Sequence, residues 1–260
     1  MEILLYILSG AGVGLAIGIT GVGGGSLMTP LLILMGIPYH IAIGTDLLYA
    51  GITKAAGVTA HQRQKTIRWD VVIALGAGSI PASLVTAYLL DKVFTGADDY
   101  APLLTSSLGF MLIFTALVLI FKDKLQTDPS GSSPRAQWIR RNTIPLTVFM
   151  GLFLGVFVTL TSVGAGAIGT AILLILYPRL PALNIVGTDI AHAVPLTLIA
   201  GIGHLIFLGN VDFLLLGCLL IGSLPAVHLG TKIGARLPSN VLRPILAAIL
   251  MVLGAKFALF

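Results

Sequence analysis

The residues of this chain that could do chemistry are a few ionisable side chains inside long apolar stretches. Asp46 and Asp189 each follow a Gly-Thr pair, and Lys54 and His192 lie a few positions further along the two stretches. An ionisable group at membrane depth is costly and marks a candidate site for binding or ion transfer. These residue types predict attraction of an anion by Lys54 and proton transfer at the carboxylates or at His192.

The threonines before the two aspartates, Thr45 and Thr188, are candidate hydroxyl donors to a substrate. A Thr-Asp pair after glycine is also a typical helix N-cap, and a cap can shape a turn beside a ligand, so both roles stay open. Lys54 lies eight positions after Asp46 on the same helix face, where it could neutralise that charge without touching a substrate. His192, three positions after the second aspartate, is a candidate proton-relay partner.

Two glycine-rich breaks precede these residues, at 21–26 and at 164–169. A helix that begins after such a break points free N–H groups and a partial positive charge into the space before it. Two opposed breaks would therefore form a cradle for an anion, while close helix packing is the alternative use of the glycines. The candidate members of the cradle are Gly21, Gly23, Gly24, Gly25, Ser26, Gly164, Gly166 and Gly169.

These features recur in the same order in both halves of the chain. A break, a Gly-Thr-Asp motif (44–46 and 187–189), a histidine, an aspartate (Asp70 and Asp212) and a Gly-Ser-x-Pro-Ala motif follow one another twice. Paired repeats with a binding site between them are typical of secondary transporters.

Composition places the chain in a membrane. Hydrophobic residues make up 57% and charged residues 10%, whereas a soluble domain carries about 25% charged residues. The net charge of +5 is spread over connecting segments, so the lipid bilayer is the expected partner and nucleic acid is not. A single cysteine and singly spaced histidines predict neither a metal site nor a cofactor.

The predicted fold is an all-α polytopic integral membrane protein with two inverted-topology repeats. Each repeat is a glycine-broken helical hairpin followed by about three transmembrane helices. The first repeat covers 1–122, a cytoplasmic linker covers 123–142, with 123–137 flexible, and the second repeat covers 143–260. Predicted spans are 40–61, 70–90, 102–121, 184–207, 211–231 and 241–259, and the hairpins are 3–36 and 143–177.

Basic residues in the loops predict the orientation. Loops 62–69, 122–142 and 231–243 carry the lysines and arginines and are expected in the cytoplasm. Counting crossings from these loops makes the two hairpins enter from opposite faces and puts both termini outside. The second hairpin arms, about 27–36 and 167–177, are short enough to favour turns inside the bilayer, although a full crossing stays open.

The ordered set of motifs resembles the sulfite exporter TauE/SafE family, also called the toluene-sulfonate uptake permease family. The resemblance is carried by the glycine-rich segment 21–30, by 42–47, by Lys54, Gly57 and His61, and by the region 68–70, and it covers nearly the whole chain outside 123–142. The second break departs from the first, with Ala165, Ala167 and Ile168 in the glycine run and no proline that matches Pro30.

The resemblance implies transport of small sulfur-containing anions such as sulfite, sulfoacetate or other organosulfonates. We therefore expect a secondary transporter of the cytoplasmic membrane that works as an exporter, with a proton as candidate coupling ion, and not an enzyme. A passive anion channel is the alternative. An intramembrane hydrolase using Ser26 lacks the expected sequence motifs. The excess of apolar surface predicts a homodimer.

Overall fold

The computed structural model describes residues 2–20, 25–122, 134–234 and 239–259, and every regular element within them is helical. The element order is α1 (Glu2–Thr20), α2 (Gly25–Leu34), α3 (Tyr39–Arg63), α4 (Trp69–Val93), α5 (Ala97–Phe121), α6 (Pro134–Arg141), α7 (Thr143–Thr161), α8 (Ala167–Leu176), α9 (Ala182–Gly203), a π-helical segment (His204–Leu208), α10 (Phe213–Gly234) and α11 (Ser239–Leu259).

Seven helices in the described part of the chain are long and apolar enough to cross a membrane. They confirm an all-α, multi-pass membrane protein. Helix α3 is as long as α4 but is not one of the seven. Polar residues such as Asp46 and Lys54 lower its hydropathy, and its segment from Ala42 to Gly51 is buried by other helices.

Both predicted hairpins end in a short second arm. Helices α2 and α8 have 10 residues each, so each is about 15 Å long, half the hydrocarbon thickness of a bilayer. The predicted short arms are therefore confirmed, and the depth of their turns in a bilayer stays a prediction. In the predicted linker, residues 134–137 belong to helix α6 and residues 123–133 lie outside the described part, so the flexible linker stays a prediction.

The helices of the two halves pack in matching pairs. Helix α1 packs most extensively on α10, and its counterpart α7 packs on α4. A Cβ atom on Gly14 would lie 2.7 Å from the Ser223 carbonyl oxygen, and one on Gly155 would overlap the Ser79 carbonyl oxygen. The glycine spacings at 14/18 and 151/155 therefore serve close helix packing, as predicted.

Helices that hold the same position in the two halves also contact each other directly. Gly51 of α3 faces Leu198 of α9, and Gly201 of α9 faces Leu48 of α3, so these two helices run antiparallel. Helices α5 and α11 are antiparallel by the same test. Equivalent helices that run in opposite directions are what an inverted repeat requires. The orientation of either half in a bilayer stays a prediction.

The π-helical segment adjusts the register of the second half. The N–H of Thr66 donates to the His61 carbonyl five positions back, and the N–H of Asn210 donates to the His204 carbonyl six positions back. One extra residue is what a π-helical turn accommodates. Because of this insertion, the counterpart of Asp212 is Arg68, and the sequence-based match of Asp212 with Asp70 is wrong.

Candidate functional site

The two Gly-Thr-Asp motifs lie in the second turn of a helix and not at its start. Helix α3 begins at Tyr39 and α9 begins at Ala182. The free N–H groups of both helices are therefore several residues upstream of the motifs. The interpretation of Thr45–Asp46 and of Thr188–Asp189 as N-caps of their own helices is wrong.

Each glycine of the two motifs admits a loop of the opposite half. A Cβ atom on Gly44 would overlap the carbonyl oxygen of Asn210, which lies in the loop before α10. A Cβ atom on Gly187 would lie 2.8 Å from His61 Nδ1 and 2.9 Å from Thr66 Oγ1, next to the loop before α4. The glycines are thus needed for contact between the halves.

Each threonine of the motifs accepts a hydrogen bond at the start of a helix in the opposite half. Thr45 Oγ1 accepts from the N–H of Asp212, and Thr188 Oγ1 accepts from the N–H of Arg68, both at 3.0 Å. These amides lie just before α10 and α4, where a helix has no internal acceptor for them. Both threonines are fully buried at these junctions, and contact of either hydroxyl with a substrate stays a prediction.

Each aspartate of the motifs is bound by the short helix of its own half. Thr29 of α2 donates to Asp46 Oδ2 at 2.5 Å, and Thr170 of α8 donates to Asp189 Oδ2 at 3.1 Å. Asp46 is fully buried and Asp189 is 3% exposed. The carboxylates therefore fix α2 and α8 against α3 and α9.

The second oxygen of each carboxylate is buried and has no hydrogen-bond partner among the described residues. Ser162 lies beside Asp46, and its own Oγ is also buried with no partner in the part of the chain that the structure describes. A Cβ atom on Gly169 would overlap Asp189 Oδ1, so the first turn of α8 touches that carboxylate. Buried polar atoms left open in this way point to a proton, a water or a ligand.

Lys54 connects the two halves at this point. Its Nζ donates to the carbonyl oxygen of Ala165 in the second break at 2.5 Å. The charges of Asp189 and of Asp46 both act on the ammonium group. Lys54 is partly exposed, in contrast to the two aspartates. The structure thus brings Lys54 to the second break and within the field of Asp46 and Asp189, and the use of these residues to bind a substrate stays a prediction.

The backbone of the second break adopts conformations that favour glycine. Gly164 has φ 111° and Gly166 has φ 149°, and Ser162 is left-handed with φ 58°. The N–H of Gly169 donates to the Gly164 carbonyl at 3.2 Å. The expectation that Gly169 offers a free amide to an anion is therefore wrong, and its role is to leave room for Asp189.

Only part of the first break lies within the described residues. Gly21, Gly23 and Gly24 lie outside the described residues, so their predicted role is untested. Gly25 begins α2, and Ser26 is buried in its first turn.

His192 is buried in the interior but is held by a different partner from the one expected. Its Nε2 and Ser79 Oγ share a hydrogen bond of 2.8 Å, and its Nδ1 has no partner among the described residues. Asp189 is bound to Thr170 instead. A proton relay between His192 and Asp189 stays a prediction.

Three polar residues of the site, Thr29, Ser162 and Thr170, were missed by the sequence analysis. Thr29 and Thr170 occupy matching places in the short helices and bind matching aspartates. An alignment of the two halves through these helices would have revealed the pair. No such signal exists for Ser162, since glycine stands at the corresponding place in the first break.

The chain is similar to known proteins over most of its length. The family model for the sulfite exporter TauE/SafE matches residues 6–257. The probable membrane transporter protein YjnA of Bacillus subtilis is 39% identical over 251 residues, which cover 96% of this chain and 97% of that protein. The probable membrane transporter protein YdhB of the same organism is 29% identical and covers 92% of this chain and 94% of its own length. No solved structure matches the chain.

Proposed function

The chain belongs to the sulfite exporter TauE/SafE family, and on that premise we propose that it is a secondary transporter of small sulfur-containing anions. The family and the relatives support a membrane transporter. The substrates proposed for it are sulfite, sulfoacetate or other organosulfonates, moved across the cytoplasmic membrane with protons as the coupling ion. A carrier works in both directions, and the gradients across the membrane decide between the predicted export and uptake.

The observation that carries the proposal is the position of Lys54. Its ammonium group contacts the glycine-rich second break of the opposite half, and the charges of two buried carboxylates act on it. An ammonium group in a membrane interior is retained where it has a partner or lines a pathway. A sulfonate can replace the Ala165 carbonyl as that partner, because a charge-assisted hydrogen bond is stronger than a neutral one.

The bonds between the halves favour a carrier over a pore. The Thr45–Asp212 and Thr188–Arg68 contacts join the two halves at both loops in the same structure. A structure in which both hydrogen bonds are formed at once fits a carrier. Such a protein opens to one side at a time by moving one half against the other.

Flux measurements on purified protein in proteoliposomes test the proposal. We expect saturable uptake of radiolabelled sulfoacetate and sulfite, accelerated by a proton gradient, and little uptake of acetate as a carboxylate control. A rate that rises linearly with concentration and ignores the proton gradient would indicate the passive channel instead. Equal uptake of acetate would refute selectivity for sulfur-containing anions.

A further inference from the structure

The ionisable groups around Lys54 include more carboxylates than ammonium groups. Asp46 and Asp189 contribute two carboxylates and Lys54 contributes one ammonium group. When both carboxylates are ionised, this Asp46–Lys54–Asp189 triad carries one excess negative charge. An entering anion is then repelled, and the repulsion is strong because few water molecules screen it in the interior.

Protonation of the two carboxylates would remove this repulsion, and each carboxylate has one oxygen that could hold the proton. Asp46 Oδ1 and Asp189 Oδ1 are buried and have no partner within the described part of the chain, while the Oδ2 atom of each already accepts from a threonine. A carboxyl group that accepts at one oxygen can hold a proton on the other. The two oxygens correspond to each other in the two halves, so the site has two equivalent places for a proton.

On the basis of the proposed function, we infer that Asp46 and Asp189 each take up one proton at Oδ1 when the anion binds, so that two protons travel with each monovalent anion. The doubly protonated triad carries one positive charge, which resides on Lys54. Lys54 is then free to leave the Ala165 carbonyl for the anion, and the loaded site is neutral.

Among the neighbours of Asp46, the Ser162 hydroxyl is the group that could accept a hydrogen bond from a proton on Oδ1. Thr29 reaches it from α2, Ser162 reaches it from the second break, and Lys54 is the charged group that acts on it from its own helix. Ser162 Oγ can accept from a protonated carboxyl group, and its lone pairs are unused in the described structure.

The neighbours of Asp189 are one hydroxyl and two ammonium groups, so the place for a proton is Oδ1, which has no partner among the described residues. Thr170 reaches it from α8, Lys54 acts on it from α3, and Lys122 acts on it from the end of α5. Both lysines are partly exposed, so water weakens the field of each ammonium group at the carboxylate. His192 on the same helix also lies in the field of Lys54.

This coupling has a consequence for the direction of transport. Two protons and one monovalent anion move one net positive charge. In a cell with a negative interior and an inward proton gradient, both driving forces carry the anion inward. The inference therefore favours uptake over the export that the family resemblance implies.

The membrane potential measures the stoichiometry directly in wild-type protein. Methanesulfonate is a suitable probe, because it keeps a single negative charge over the working pH range. Proteoliposomes are prepared with equal pH on both sides and a potassium diffusion potential set by valinomycin. An inside-negative potential should accelerate uptake of radiolabelled methanesulfonate several-fold.

The other outcomes separate this inference from the proposed function. Uptake that responds to a pH gradient but not to potential would mean one proton per anion; it would overturn the inference and leave the transporter intact. Uptake slowed by inside-negative potential and indifferent to pH would mean movement of the anion alone, and would refute both proton coupling and the inference.

The variant Asp189→Asn tests whether one of the two protons binds at Asp189. Asparagine at position 189 imitates a permanently protonated carboxyl group, so Asp189→Asn should transport one proton per anion and lose the response to potential while keeping the response to pH. Asp99→Asn, at an exposed residue of α5, is the control and should behave like wild type. An Asp189→Asn protein that still responds to potential as wild type does would exclude Asp189 as a proton site.

Discussion

At the scale of residues, the three members of each Gly-Thr-Asp motif have three separate tasks. The glycine admits a loop of the opposite half, the threonine binds the first free amide of a helix in that half, and the aspartate binds the short helix of its own half. The motif occurs twice because the same contacts are made in both directions between the halves. Each buried aspartate also keeps one oxygen with no hydrogen-bond partner among the described residues.

A methyl group at Gly44 tests the contact between the halves. Gly44→Ala places a Cβ atom against the backbone carbonyl of Asn210, which cannot move aside as a side chain could. We expect a loss of about 1–3 kcal/mol of stability, as for other overpacked sites, seen as a lower melting temperature of the purified protein in detergent.

The matched control for this variant is Gly12→Ala. Gly12 is also in a helix interior, but no atom lies within 4 Å of a Cβ atom there. Alanine should stabilise that position by about 0.5–1 kcal/mol relative to glycine. Equal melting temperatures of the two variants would show that the Gly44 contact does not join the halves.

At the scale of elements, the short helices α2 and α8 are held by side chains from α3 and α9. Their lengths could be predicted from the glycine breaks and the following apolar runs. An alignment of the halves could match Thr29 with Thr170, but the bond from Thr29 to Asp46 could not be predicted, because the spacing does not specify the geometry of the chain between them. The role of Thr45 was missed for a similar reason, since its partner Asp212 is 167 positions away.

The contact between α8 and α9 can be perturbed at Gly169. A Cβ atom there meets the end of the Asp189 side chain, which can rotate away from it. Gly169→Ala should therefore cost less than about 1 kcal/mol of stability, because flexible neighbours adjust, but should move the carboxylate from Thr170. We expect transport to fall more than about tenfold, measured as initial uptake at unchanged melting temperature. Unchanged transport would show that the position of Asp189 does not matter.

At the scale of the whole molecule, each half completes the other. Helices α1 and α7 pack on α10 and α4, and the equivalent pairs α3–α9 and α5–α11 run antiparallel. The two halves and their short hairpin arms could be recognised from repeated motifs, although the match of Asp212 with Asp70 missed the true counterpart, Arg68, by two residues. The location of the cation at the opposite break could not be read from spacing, because it depends on how α3 and α8 meet.

The central claim is that Lys54 binds the transported anion between the two halves. Isothermal titration of the purified wild-type protein with sulfoacetate and methanesulfonate at acidic pH, beside Lys54→Met, tests it most directly. A lost charge-assisted bond costs about 1.5–3 kcal/mol, so affinity should fall about 10- to 100-fold. Lys92→Met, which removes an exposed lysine paired with Asp91, should bind like wild type. Equal affinity of Lys54→Met and wild type for both anions would contradict the account.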